Sequence, residues 1–150
     1  MPKIVKDHQI IDDSWQVITE EQGSLDSEQL LLPYAQFETE AATLRQEGKM
    51  VGIWLDSDFD FEALNQIERD QCPVIAINFP KFADGRGYSL ARILREQLQF
   101  KGEIRAIGDV LLDQLYYLSR VGFDAFALRW MHMHEKSRLM QLHKFPISWP

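Results

Sequence analysis

The chain has 150 residues, 45% of them hydrophobic and 26% charged, which is the size and composition of one globular domain. No stretch approaches the roughly 20 apolar residues of a membrane span, and Met1–Gln9 lack the apolar core of an export signal. We therefore expect a cytoplasmic protein with no membrane role. The net charge of -7 argues against nucleic acid as a partner, and the single cysteine, Cys72, excludes an internal disulfide or a Cys-x-x-Cys pair.

The first part of the chain is polar. Residues 1–29 carry one predicted short strand, Trp15–Thr19, and are expected to form an appendage to a single α/β domain of residues 30–150. A helix is predicted from Tyr34, with Gly48 as its left-handed end. Its inward positions recur at helical spacing: Phe37, Ala41 and Leu44.

The rest of the chain alternates short apolar runs with amphipathic segments. The predicted strands are Met50–Leu55, Val74–Phe79, Glu103–Gly108 and Asp124–Leu128. The helices between them are predicted to begin behind the caps Asp60, Ser89 and Asp109, and the last of these helices to end at Gly122. Their predicted buried positions include Phe61, Leu64, Ile67, Leu90, Leu94, Leu111, Leu115 and Leu118. A final amphipathic segment lies around Met133–Leu142.

Strands that alternate with helices predict an α/β fold with a parallel sheet and right-handed crossovers. Four strand-helix units are half of an eight-stranded barrel, so a partial, half TIM-barrel-like sheet is favoured, with an open doubly wound sheet as the alternative. A half-barrel leaves strand edges and an apolar face exposed. We expect the N-terminal segment or a second copy of the chain to cover them, the latter as a homodimer.

In either architecture ligands bind beyond the carboxyl ends of the strands, and the densest polar segment there is Lys81–Ser89. Gly85 and Gly87 flank Arg86, permit unusual backbone angles and lead amides into a helix that Ser89 caps, a geometry suited to an anion. The alternative is that Asp84 pairs with Arg86 and the glycines only make a turn.

Charged residues supply the other candidates. Lys81, Asp84 and Asp109 share the carboxyl end and are candidate acid-base groups, although Asp109 is also a typical N-cap. Arg105 occupies an alternate position in an apolar strand. If its side chain points inward, it needs a carboxylate such as Asp109 or Asp56, or a bound anion.

Cofactor signatures are weak. Gly85-x-Gly87 before a helix is similar to a dinucleotide motif, but Leu90 stands at the third position and five residues separate the loop from the strand. His132, His134 and His143 hint at a metal without a carboxylate cluster beside them. The residues therefore predict no metal and contain no evident cofactor motif, which leaves any cofactor unknown. Cys72, before Pro73, is expected to be a buried structural thiol.

Three segments resemble a bacterial family of unknown function that is labelled an oxidoreductase involved in sulfite reduction. They are residues 77–92, INFPKFADGRGYSLAR, residues 102–110, GEIRAIGDV, and residues 122–126, GFDAF. The resemblance covers roughly residues 30–130. It implies a place in sulfur assimilation beside assimilatory sulfite reductase, and it assigns no role to any residue.

Three hypotheses follow. The first is an accessory protein of assimilatory sulfite reduction that binds sulfite reductase, or a small oxyanion at Lys81, Arg86 and Arg105. The second is a small partial-barrel enzyme in which Lys81, Asp84 and Asp109 perform acid-base chemistry on a carboxylate or phosphate substrate. The third is a structural interaction module, which would present a large apolar patch.

Overall fold

A computed structural model of the chain describes residues 3–7, 9–80, 85–110 and 114–127. Its strands are β1 (Lys3–Lys6), β2 (Gln9–Asp12), β3 (Gln16–Val17), β4 (Gln29–Pro33), β5 (Met50–Asp56), β6 (Val74–Phe79), β7 (Glu103–Gly108) and β8 (Ala125–Phe126). Its helices are α1 (Tyr34–Gln46), α2 (Phe61–Leu64), α3 (Arg86–Arg92) and α4 (Leu115–Val121), and α3 continues as a π-helix over Ile93–Gln97.

All eight strands belong to one sheet in the order β2-β1-β8-β7-β6-β5-β4-β3. Strands β3 to β8 are parallel and neighbour one another in chain order, while β1 is antiparallel to both β8 and β2. A doubly wound sheet reverses its strand order at a switch point, and this run has no reversal. The fold is therefore the half-barrel of the favoured prediction.

The connection between β2 and β3 requires the sheet to curl. These strands end the sheet at opposite sides, yet only residues 13–15 join them. Seven strand spacings in a flat sheet would separate them by roughly 34 Å. The four Cα steps from Asp12 to Gln16 reach at most about 14 Å. The sheet consequently bends back on itself, and residues 13–15 lie across its inner face.

The two faces of the sheet bury different residues. The outer face packs against the helices, and its core includes Ile53, Ile75, Ile104, Leu44, Leu64, Leu90, Leu94, Leu115 and Leu118. The inner face carries a smaller cluster of Leu31, Val74, Ala76 and Ile107, against which Trp15, Val17 and Trp54 pack. The Trp54 indole N–H donates to the Ile18 carbonyl at 2.8 Å, so the N-terminal segment covers the inner face.

Several boundaries match the sequence. Strands β6 and β7 have the predicted limits, α1 begins at Tyr34, and Asp60 accepts the Glu62 N–H at 3.1 Å as an N-cap. Gly48 and Gly122 have positive φ angles of 89° and 122° just after α1 and α4, as predicted for helix ends. The predicted limits of these elements are therefore confirmed.

Other predictions were wrong. Ser89 lies inside α3 and is not its cap, because the helix already begins at Arg86. Phe61 is 48% exposed instead of buried. Gln114 holds the N-cap position of α4, and residues 111–113 lie outside the described residues, so the predicted Asp109 cap stays a prediction. Strands β1, β2 and β4 were not predicted, and β3 is shorter than Trp15–Thr19. The predictions for Leu111, Leu128 and residues 133–142 fall outside the described residues.

Gly122 provides a stability test. Its φ of 122° disfavours any side chain, and a Cβ there would lie 2.6 Å from the Arg95 Cγ. We expect Gly122→Ala to lower the free energy of unfolding by about 1–3 kcal/mol, measured by urea denaturation. Gly23→Ala is the matched control, since its Cβ would meet only an ordinary 3.7 Å contact with the Thr19 carbonyl. Equal stability of the two variants would contradict the described helix end.

Candidate functional site

The carboxyl ends of β5, β6 and β7 form one polar edge, which we call the carboxyl edge. The Asn78 side-chain amide donates to Asp56 Oδ1 at 3.1 Å, and the Ser57 N–H donates to the Asn78 carbonyl at 3.1 Å. The Asp109 N–H donates to the Phe79 carbonyl at 2.7 Å. Asp56, Asn78 and Asp109 are thereby held at adjacent strand ends, where parallel α/β folds place their ligands.

Gly108 lets the chain turn at this edge. Its φ is 88°, and a Cβ on it would overlap the Asn78 side-chain oxygen and lie 2.6 Å from the Phe79 carbonyl oxygen. A residue with a side chain would therefore push β7 away from β6 at the point where Asp109 follows. Glycine at this position keeps the two strand ends in contact.

The start of α3 follows β6 and brings four of the predicted anion-binding residues together. Gly85, Arg86 and Ser89 are exposed there, whereas Gly87 is buried. Gly85 has φ −68° and ψ −14°, and Gly87 lies within the helix, so the prediction of unusual backbone angles was wrong. Lys81 and Asp84 lie outside the described residues.

Close packing explains Gly87 better than backbone freedom does. A Cβ on Gly87 would overlap the Phe79 ring. The same ring contacts Tyr88, with centroids 5.7 Å apart, and Tyr88 meets Tyr117 of α4 edge-on at 5.0 Å. The first turn of α3 is consequently fixed against both β6 and α4.

Arg105 lies on the inner face and is buried, with 3% of its side chain exposed. Its Nη1 donates to Asp13 Oδ1 at 2.6 Å and its Nε to Glu103 Oε2 at 2.7 Å. The sequence correctly required a carboxylate for an inward arginine but suggested Asp109 or Asp56. Those residues stand at the end of the strand, and Asp109 is roughly 13 Å further along it.

The placement of Arg105 separates it from the other predicted site residues. Because α3 packs on the outer face, the sheet stands between Arg105 and Arg86. Gly85, Arg86 and Ser89 therefore lie close together at the start of α3, and Arg105 lies apart from them on the other side of the sheet. The functions of all these residues remain predictions.

Glu103 completes the buried ion network, because the Lys6 Nζ lies 2.7 Å from its Oε1. Burial alone would raise the pKa of Glu103, but the charge of Arg105 and hydrogen bonds from Arg105 and Lys6 outweigh it. The pKa of Glu103 is consequently held below its ordinary value of 4.5. Asp13 is fixed as well, since its Oδ1 also accepts the Trp15 N–H at 3.0 Å.

This network predicts an acid-sensitive contribution to stability. A carboxyl whose pKa is lower when folded stabilises the protein above its unfolded pKa, and the contribution disappears as pH falls through the folded value. We expect Glu103→Gln to be less stable than wild type at pH 7, with the difference shrinking below about pH 4.5. Urea denaturation from pH 7 to pH 3 measures it.

Glu96→Gln, on the exposed side of the π-helix, controls for the loss of one negative charge from the chain. A stability difference between Glu103→Gln and wild type that stays constant across this pH range would contradict the network.

Neither a metal centre nor a membrane span is found in the described ranges. Among residues 3–7, 9–80, 85–110 and 114–127, no three His, Cys, Asp or Glu side chains group closely enough to hold a metal ion. Within the same ranges, no helix combines the length and apolar character that crossing a bilayer requires. The three histidines considered above for a metal lie outside these ranges.

A family model described as "Bacterial protein of unknown function (DUF934)" matches residues 52–149. The chain belongs to this family. The match contains all three segments on which the resemblance was based, so the family of unknown function is confirmed. Comparisons with curated proteins and with solved structures gave no match. The DUF934 match includes the carboxyl edge but not Asp13 or Lys6.

Proposed function

We propose that this DUF934 protein is an accessory protein of assimilatory sulfite reduction that binds, at its carboxyl edge, a small oxyanion or the reductase itself. The observation that carries the proposal is the Asp109 N–H bond to the Phe79 carbonyl. It ties residues 102–110 to residues 77–92, the two longest segments that resemble the sulfite-reduction family. The resemblance is therefore concentrated where a ligand would bind.

The third segment contacts β6 through the Phe123 ring and otherwise lies beside the first residues of β7. The Phe123 and Phe79 rings have centroids 5.7 Å apart. Arg95 donates from Nε to the Gly122 carbonyl at 3.1 Å and also pairs with Asp124, which accepts the Ile104 N–H at 2.9 Å. Residues 122–126 thus hold Arg95 and the start of β7 in place through hydrogen bonds. These contacts favour a structural role for this segment and a binding role for the other two.

Chemistry at the edge suits an oxyanion. Arg86 is exposed in the first turn of α3, and a guanidinium presents paired N–H donors that match the oxygens of sulfite or sulfate. A reductase surface that offers a carboxylate would satisfy the same donors. Both forms of the proposal therefore require Arg86, while Arg105 is buried on the inner face with Asp13 and Glu103.

A second candidate is the small acid-base enzyme. Asp109 stands at the carboxyl edge beside Asn78 and Asp56, which is where parallel α/β enzymes place catalytic groups. In this case Lys81 and Asp84 would act with Asp109 on a carboxylate or phosphate substrate. Asp109→Asn would then abolish turnover while leaving ligand binding in place, which an accessory role does not predict.

Ligand binding tests the oxyanion form. We expect sulfite or sulfate to raise the melting temperature of the full chain, because a ligand that binds only the native state stabilises it. Arg86→Ala should weaken that binding by at least about tenfold, because a charge-assisted contact is lost. Arg92→Ala, exposed on the same helix, is the matched control and should bind as wild type does. Equal binding by both variants would contradict the proposed site.

Partner capture tests the reductase form. The tagged chain is mixed with purified sulfite reductase, and complex formation is followed by gel filtration and light scattering, which also reports a homodimer. We expect a complex that Arg86→Ala weakens and Arg92→Ala leaves intact. If no complex forms, and cells that lack the gene grow normally on sulfate, the proposed role in sulfite reduction is wrong.

A further inference from the structure

A concave region lies at the amino end of the sheet, opposite the carboxyl edge. It is a cavity of about 700 Å³ beneath the starts of β5, β6 and β7, where Met50, Pro73 and Gly102 line it. A volume of this order holds a small organic molecule, whereas a bare inorganic ion would leave most of it empty. The carboxyl edge lies at the other end of the same strands.

The charge of this cavity is opposite to that of the whole chain. Its lining includes four basic residues and one acid: Arg45, Lys49, Arg69, Lys101 and Asp70. The chain as a whole has 23 acidic and 16 basic residues. An excess of cations in a concave part of an acidic protein attracts small anions to that part.

Arg45 carries hydrogen-bond donors that the described residues leave unsatisfied. It comes from the last turn of α1, and its Nε and Nη2 are buried with no hydrogen-bond partner among the described residues. The guanidinium lies over the Phe37 ring, 5.3 Å from its centroid. Buried N–H groups are paired in nearly all native proteins, so these two nitrogens call for an acceptor that residues 3–7, 9–80, 85–110 and 114–127 do not supply.

A structural explanation fits the neighbouring cations better than it fits Arg45. Lys49 donates to the carbonyls of Leu25 and Ser27 at 2.5 and 3.1 Å. Arg69 reaches the carbonyls of Leu64, Asn65 and Ile67 at 3.3–3.4 Å. These two side chains donate to backbone carbonyls, whereas the buried Arg45 nitrogens meet no carbonyl in the described structure.

Cys72 does not supply the missing anion. Its thiol lines the cavity and donates to the Val74 carbonyl at 3.3 Å. Burial raises the pKa of Cys72 to about 11, although the charge of Arg45 acts in the opposite direction. At neutral pH the group is an uncharged thiol, so the positive charge of the cavity is not balanced from this side.

We propose that the cavity binds a small organic molecule that carries a phosphate or sulfate group, with Arg45 as its principal contact. Lys101, which is exposed at the rim, adds a second charge. The apolar part of the ligand lies against Val51, Leu98 and Phe100, which line the same space. This site goes beyond the proposed function, because it shares no residue with the carboxyl edge.

Titration calorimetry with the full chain tests the proposal. The probes are phenyl phosphate and phenyl sulfate, with inorganic phosphate and sulfate as the free-ion arm and benzyl alcohol as the neutral arm, all at constant ionic strength. We expect both esters to bind more tightly than the free ions, and benzyl alcohol not to bind. If the free ions bind as tightly as the esters, the proposal that the ligand is an organic molecule is wrong.

Variants locate the binding. Arg45→Met keeps an apolar side chain over Phe37 and should weaken phenyl phosphate binding by at least about tenfold. Lys101→Gln, at an exposed position that tolerates change, should weaken it less, and it keeps the test open if Arg45→Met folds poorly. Arg92→Gln is the control and should bind as wild type does. Unchanged binding in both cavity variants would overturn the site, even if the carboxyl edge binds sulfite.

Discussion

The fold depends on the pairing of the buried Arg105 with Asp13 and Glu103. A guanidinium inside a sheet is unstable unless carboxylates neutralise it, and one of these carboxylates comes from a residue 92 positions earlier in the chain. This requirement holds residues 13–15 across the inner face, where Trp15 and Trp54 complete the cover. The short connection then forces the two sides of the sheet toward each other, which gives the half-barrel its curvature.

With the inner face covered, polar and charged residues gather at the two ends of the strands. The carboxyl edge presents Asp56, Asn78 and Asp109 beside the start of α3. The amino end presents a cavity in which two buried Arg45 donors have no acceptor among the described residues. Arg105 and Asp109 lie at different levels of β7, since Arg105 is inside the sheet while Asp109 follows the end of the strand.

Local patterns predicted the parts of the fold that depend on neighbours in sequence. The apolar runs of β6 and β7 and the glycines after α1 and α4 gave correct limits, because burial on both faces and positive φ angles leave a local signature. Strand β4 was missed because a run of three leucines before a proline is too short to identify as a strand. Asp13 was missed because nothing local marks a carboxylate that pairs across the sheet. The prediction of unusual backbone angles at Gly87 was wrong because glycine is required there by the nearby Phe79 ring. Only the folded chain brings the two residues into contact.

The most direct test of this account is a double-mutant cycle on Asp13 and Arg105, with Asp13→Asn, Arg105→Met and the double variant compared in urea denaturation. Asp13→Asn leaves the buried Arg105 with Glu103 alone, and Arg105→Met leaves Asp13 without its cation, so the double variant should lose less stability than the sum of the two. We expect a coupling free energy of about 2 kcal/mol or more. Additivity within about 0.5 kcal/mol would show that the two residues do not interact, and the cover of the inner face would then lack its main support.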